Sequence, residues 1–129
     1  MVALVAASHD EDGRELDEET FRSALVDAVL FVAEEDGRVV GNLGLHPDGA
    51  DSAALGMSVA SSWRRRGIGT ALVESAVGWG REAGLSELRL EVFEANTPAV
   101  ALYRKLGFVE TTPPRHGERG PVLTMTKSL

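Results

Sequence analysis

Arg64-Arg65-Arg66-Gly67-Ile68-Gly69 lies directly after an apolar, strand-like run and directly before an amphipathic helical stretch. Glycines three and five places after Arg64 let backbone N–H groups turn inward. The start of the following helix adds the positive end of its dipole, so the segment is shaped to hold phosphate and points to a ligand carrying a pyrophosphate. Taken alone, the same hexad also suits a plain glycine-rich turn with solvated basic residues. A second cluster, Leu88-Arg89-Leu90-Glu91-Val92-Phe93-Glu94-Ala95-Asn96-Thr97-Pro98-Ala99-Val100-Ala101-Leu102-Tyr103-Arg104-Lys105-Leu106-Gly107-Phe108, reads as strand, short loop, short helix and re-entering strand. Glu91 stands in that strand among Leu90, Val92 and Phe93, a setting glutamate disfavours, and Tyr103 is the one tyrosine of the chain.

These residues need a frame, and the periodicity supplies one by alternating between two and about 3.6 residues, as mixed α/β domains do. A first strand over 1–7 leads into an acidic turn, Asp10 to Gly13. A helix is expected over about 16–28, with Phe21, Leu25 and Val29 at four-residue spacing and Asp17, Glu18 and Glu19 near its positive end. Strands over 29–33 and 38–45 flank Asp36-Gly37, a strong two-residue hairpin signal. A turn at Pro47-Asp48-Gly49 leads to a third strand over 54–59, completing an antiparallel meander in which Gly56 marks a bulge or a close backbone approach, or is simply tolerated on an edge. A helix over 67–83 follows, turning Ile68, Leu72, Ala76 and Trp79 or Gly80 inward and stopping at Gly84. In the strand over 88–93, Leu88, Leu90 and Val92 share one face and Arg89, Glu91 and Phe93 the other. Thr97-Pro98 starts the next helix and Gly107 stops it. The last strands cover 108–111 and 122–126, joined by a loop over 113–120.

With 129 residues the chain is long enough for one domain, 1–129, with a real core. It has no apolar run of about 18 residues, so no membrane span is expected, and the apolar start lacks the basic residues of a signal peptide. The absence of Cys removes disulfides and thiol nucleophiles and fits a cytoplasmic protein. A net charge of −7 argues against a general nucleic-acid binder and favours cationic partners. The three His are scattered, so no metal site is expected.

Together the two clusters resemble the GNAT family of N-acetyltransferases. Its acetyl-coenzyme A motif, Arg/Gln-x-x-Gly-x-Gly/Ala, is matched by Arg64, Gly67 and Gly69. Its second signature, an Asn followed by a helix ending in Leu-Tyr-x-x-Leu-Gly-Phe, is matched by Asn96, Leu102, Tyr103, Leu106, Gly107 and Phe108. The likeness is close over about 53–108, and Leu90-Glu91-Val92 most resembles the ribosomal-protein alanine N-acetyltransferases. It implies an α+β fold with a mixed, mostly antiparallel central sheet flanked by helices. The strand that carries Gly56 should bulge and splay from its central neighbour, opening a wedge for the pantetheine arm.

Acetyl transfer from a thioester to an amine needs a neutral amine, donors around the carbonyl and a proton for the departing thiolate. The resemblance assigns the carbonyl to backbone N–H groups near Met57 and Val59. It assigns the pyrophosphate to Arg65, Arg66, Gly67, Ile68, Gly69 and Thr70, with Arg64 adding charge. Asn96 either bonds the pantetheine amide or caps the following helix. Tyr103 either protonates the thiolate, its phenol near pKa 10 against a thiol near 8.5, or packs with Leu102 and Leu106. Glu91 either takes the amine proton, through water, or is a solvated carboxylate paired with Arg89 or a lysine. Glu94 is the second choice as base, while His9, His46 and His116 read as loop or surface residues. The expected activity is direct transfer from acetyl-coenzyme A, a co-substrate, to the primary amine of a small molecule or peptide N-terminus. The short region before the first hairpin implies a shallow acceptor site or one completed by a second subunit in a homodimer. Two other classes stay open: an acetyl-coenzyme A sensor or assembly module without turnover, and a nucleotide-phosphate binder whose only site is 64–69.

Overall fold

Alternating apolar residues and tight turns build the first half of the sheet. The computed structural model describes the backbone of residues 2–5 together with residues 29–64 and 66–129. The expected helix over 16–28, the Asp10 to Gly13 turn, His9 and Arg65 lie outside the described residues. Strand β1 (Val2–Val5) pairs antiparallel with β2 (Val29–Glu35), and β2 with β3 (Arg38–Pro47). Asp36 and Gly37 both have positive φ, 51° and 75°, which a two-residue hairpin of this hand requires. Strand β4 (Ser52–Val59) completes the meander. Its register against β3 runs without a shift from Ala53 through Gly56 to Val59, so the expected bulge at Gly56 is absent. A Cβ at Gly56 would meet nothing within 4 Å, so the glycine is simply tolerated there. The irregularity of this sheet sits one hairpin earlier, between Ala33 and Glu34.

A short 3-10 turn, Ser61–Trp63, leads through the basic segment into helix α1 (Ile68–Glu82). Its buried side is Ile68, Leu72, Val73, Ala76, Val77 and Gly80, while Trp79 is only half-buried. Gly84, at φ 84°, ends it: Leu85 N–H donates to Gly80 O at 2.8 Å and Gly84 N–H to Arg81 O at 3.2 Å. Alanine at position 84 is expected to cost about 1–2 kcal/mol for holding a Cβ in left-handed backbone, readable as a lower denaturation midpoint.

The second half of the sheet is β5 (Glu87–Phe93), β6 (Val109–Glu110), β7 (Arg115–Gly117) and β8 (Gly120–Ser128), with helix α2 (Thr97–Lys105) between β5 and β6. The eight strands run in the order β1-β2-β3-β4-β5-β8-β6, and β7 also pairs with β8. Residues 113–120 are therefore not the plain loop the sequence suggests, since Arg115–Gly117 folds back onto β8. All pairs are antiparallel except β4 with β5. The core gathers on one face of the sheet, where Phe31, Leu43, Leu45, Leu88, Leu90 and Met125 pack with Leu72 and Val73 of α1. The opposite face carries Arg89, Glu91 and Phe93, as alternation along β5 expects.

Candidate active site

Parallel pairing of β4 with β5 covers only Ser52–Ala54 against Glu87–Arg89. Beyond that the strands part, and this is the splayed central pair. Its closed end is fastened by side chains: Ser86 Oγ donates to Asp51 Oδ2 at 2.8 Å, Ser52 Oγ to Asp48 Oδ1 at 2.7 Å, and Arg89 spans Asp48 and Glu87 at 3.1 Å each. Toward the open end, Ala60 N–H donates to Val40 O at 2.8 Å, back toward β3. Backbone groups of a strand alternate direction, so Met57 and Val59 aim theirs at the gap. Arg64 Nε donates to Val59 O at 3.3 Å, folding that arginine over the end of β4.

The splayed strand leads, through the Ser61–Trp63 turn, into the basic segment. Gly67 is the N-cap of α1 at φ 79°, makes no side-chain cap bond, and no acidic residue follows in the first turn. The first-turn N–H groups of Ile68, Gly69 and Thr70 thus lack intrahelical acceptors, as every helix start does. A Cβ on Gly67 would meet nothing within 4 Å, so the helix start is open on that side. Arg66 stacks its guanidinium over Trp63, 4.7 Å from the ring centroid. At Gly69 a Cβ would lie 3.0 Å from Leu102 Cδ2 and 3.3 Å from Met57 Cε, so α1, α2 and β4 converge there. Residues 57, 59, 64 and 66–70 are therefore brought to the mouth of one gap.

The ending of α2 explains much of the second cluster physically. Phe108 N–H donates to Tyr103 O at 2.9 Å and Gly107 N–H to Arg104 O at 3.1 Å, with Gly107 at φ 97°. That hydrogen-bond pattern goes with an apolar contact between its outer residues, and Tyr103 meets Phe108 edge-on with ring centroids 5.6 Å apart. Tyr103 is 6 % exposed, and burial raises its pKa above 10, so the phenol is neutral at neutral pH. Asn96 caps α2, its side chain accepting from Ala99 N–H at 3.4 Å, which is the capping alternative; it is exposed.

Glu91 lies on the sheet face opposite Tyr103 and the helices. Neither Arg89 nor a lysine holds it. Its Oε2 accepts from Arg115 at 2.5 Å, both side chains more than half exposed. Arg115 is the residue the sequence hid, because it sits in the three-residue strand β7, 24 positions from its partner. Glu94 is exposed, and His46 and His116 are exposed as expected. A separate cavity of about 390 Å³ between α1, Lys105 and Lys127 shares no residue with this site. Among the described residues there is no group of three His, Cys, Asp or Glu that could hold a metal, and no helix long and apolar enough to cross a membrane.

Residues 3–108 match the profile of the acetyltransferase (GNAT) family. An N-alpha-acetyltransferase of Sulfurisphaera tokodaii is 38% identical over 103 residues, covering 70% of this chain and 62% of that protein. A mycothiol acetyltransferase of Clavibacter sepedonicus is 36% identical over 82% of this chain and 36% of its own length. The chain thus spans from about a third to about three-fifths of these two curated relatives. Among solved structures, a ribosomal-protein-alanine N-acetyltransferase from Brucella melitensis superposes with a TM-score of 0.72 at 28% identity, covering 88% of this chain and 80% of that one.

Proposed function

The chain belongs to the acetyltransferase (GNAT) family, and from that premise we propose that it moves the acetyl group of acetyl-coenzyme A to a primary amine by direct transfer within one ternary complex. The observation that carries the reading is the gap between β4 and β5, whose open end leads into an uncapped helix start that is open on the Gly67 side. The backbone of residues 66–70, with the basic charge of 64–66, fits a pyrophosphate. Acetyl-coenzyme A brings the thioester carbonyl.

The chain's own groups then divide the work across the sheet. Glu91, on the outer face, takes the amine proton through water as the nitrogen attacks the carbonyl carbon. N–H groups of Met57 and Val59, aimed into the gap, donate to the oxygen as its charge develops. Tyr103, on the helix face, gives its phenolic proton to the sulfur as the C–S bond breaks, and burial keeps that proton in place until then. Asn96, besides capping α2, offers its amide N–H₂ to the pantetheine arm.

Binding is tested first. Acetyl-coenzyme A is expected to raise the melting temperature, and dephosphorylated pantetheine far less; equal shifts for the two would sink the pyrophosphate site. Turnover separates an enzyme from a sensor: thiol release on an amine panel supports transfer, and tight binding with none supports the non-catalytic module.

Amine basicity then narrows the acceptor. At pH 7 the α-amino group of a peptide N-terminus, with a pKa near 7.7–8, costs only about 1 kcal/mol to deprotonate, and a lysine near 10.4 nearly 5 kcal/mol, at about 1.36 per unit. One exposed carboxylate working through water suits the first. Small α-amines or peptide N-termini are expected to react faster than lysine side chains, and Glu91→Gln to displace the acidic limb of the kcat/KM profile. A profile untouched by that substitution removes Glu91 as base.

A further inference from the structure

Glu91 and Arg115 form an ion pair on the outer sheet face that reaches across β8, from β7 to β5, the strand whose other edge borders the gap. Both partners are more than half exposed, and exposed ion pairs are weak, so a ligand exchanges into them readily. The row beside them is built by pairing: Phe93 faces Val122 across β5 and β8, and Val122 faces Arg115 across β8 and β7. Phe93 is 43% exposed, an unusual setting for a large apolar side chain, and stands two residues from Glu91 on the same face. A carboxylate and a guanidinium in contact, and an exposed ring one strand across Val122 from Arg115, thus share one face of the sheet.

Resting on the acetyl-transfer reading above, we propose that the acceptor is a free α-amino acid with an apolar side chain. Its zwitterion replaces the pair contact by contact. The α-ammonium faces Glu91, which removes its proton through a bridging water; the α-carboxylate meets the guanidinium of Arg115, whose planar fork suits a carboxylate. One carbon separates the two charges of such a ligand, as suits partners that already touch each other. The side chain lies on Phe93. The C–N bond forms at the α-nitrogen, the C–S bond breaks with the thiolate taking the Tyr103 proton, the second proton lost from nitrogen returns through water to the Tyr103 phenolate, and the product is an N-acetyl amino acid with its carboxylate still on Arg115. Glu91 and Arg115 therefore act as a base and a specificity residue that hold one another in place until substrate arrives.

The test is steady-state kinetics of the full chain with acetyl-coenzyme A, following thiol release, on leucine and phenylalanine beside their amides and on phenethylamine. The amides have the less basic amines, so basicity alone favours them. The inference expects the amino acids to exceed their amides in kcat/KM by about tenfold or more, since a paired charged hydrogen bond is lost in the amide. It also expects Arg115→Gln to collapse that ratio toward one, mainly by raising KM for the amino acids, and Arg115→Lys to restore part of it. Amides matching or exceeding the amino acids, or a ratio that survives Arg115→Gln, overturns this inference and leaves acetyl transfer standing. No thiol release with any amine overturns both.

Discussion

Replacing Tyr103 by Phe is expected to lower kcat by roughly 10²-fold or more while the coenzyme affinity stays within about twofold, the usual effect of removing a positioned acid. The substitution removes one oxygen and keeps the ring that meets Phe108 edge-on, so the capped end of α2 survives. Steady-state rates and a coenzyme titration check it together, and an equal loss in both would mark Tyr103 as packing. The direction of the pKa shift sharpens the expectation. Burial disfavours the phenolate and raises the pKa above 10, so the acid form persists through neutral and mildly alkaline pH. Loss of the acid therefore falls on the far alkaline side, and a limb appearing between pH 7 and about 9 belongs to the amine or another group.

Valine at position 67 is expected to weaken acetyl-coenzyme A binding by roughly 10²-fold or more, the order of two charged hydrogen bonds at about 1.5–3 kcal/mol each. Two effects coincide there. Gly67 holds φ 79°, where an L side chain is strained by about 1–2 kcal/mol, and the branched side chain would fill the open side of the helix start. Gly84 provides the control, because it holds φ 84° at the other end of the same helix and touches none of the site. Gly84→Ala should reproduce the stability loss and leave binding intact. Calorimetric titration of both variants separates strain from the lost anion site, and unchanged affinity in Gly67→Val would remove the phosphate assignment.

Features written in local chemistry were legible in the chain, and features made by distant pairing were not. Asp36-Gly37 announces its hairpin because both residues tolerate positive φ, and Gly84 and Gly107 announce helix ends for the same reason. Strand β5 shows its two faces because Leu88, Leu90 and Val92 alternate with polar residues. Gly56 misled: the strands part through loss of pairing on the β5 side, and the β3 side keeps unbroken register. No single residue encodes that, and the splay came from family resemblance rather than from periodicity. Strand β7 escaped because Arg115, His116 and Gly117 carry no apolar alternation; β8 recruits them through its own free edge. The Glu91–Arg115 contact depends on that recruitment, so it was hidden with it.

The short β4–β5 ladder also divides the molecule in folding terms. Strands β2 to β4 pair with sequence neighbours through short turns, so this meander closes small loops and has low contact order. Strand β8 must travel back past β6 and β7 to insert beside β5, a non-local step with a larger loop entropy. Among the described residues the two halves are joined by three residue pairs, by the Asp51–Ser86 and Asp48–Arg89 side-chain contacts and by the core they share under α1. The gap proposed for substrate is therefore also the seam between an early-forming and a late-forming part of the sheet, and native-state hydrogen exchange should find the backbone opening there at lower free energy than in the meander.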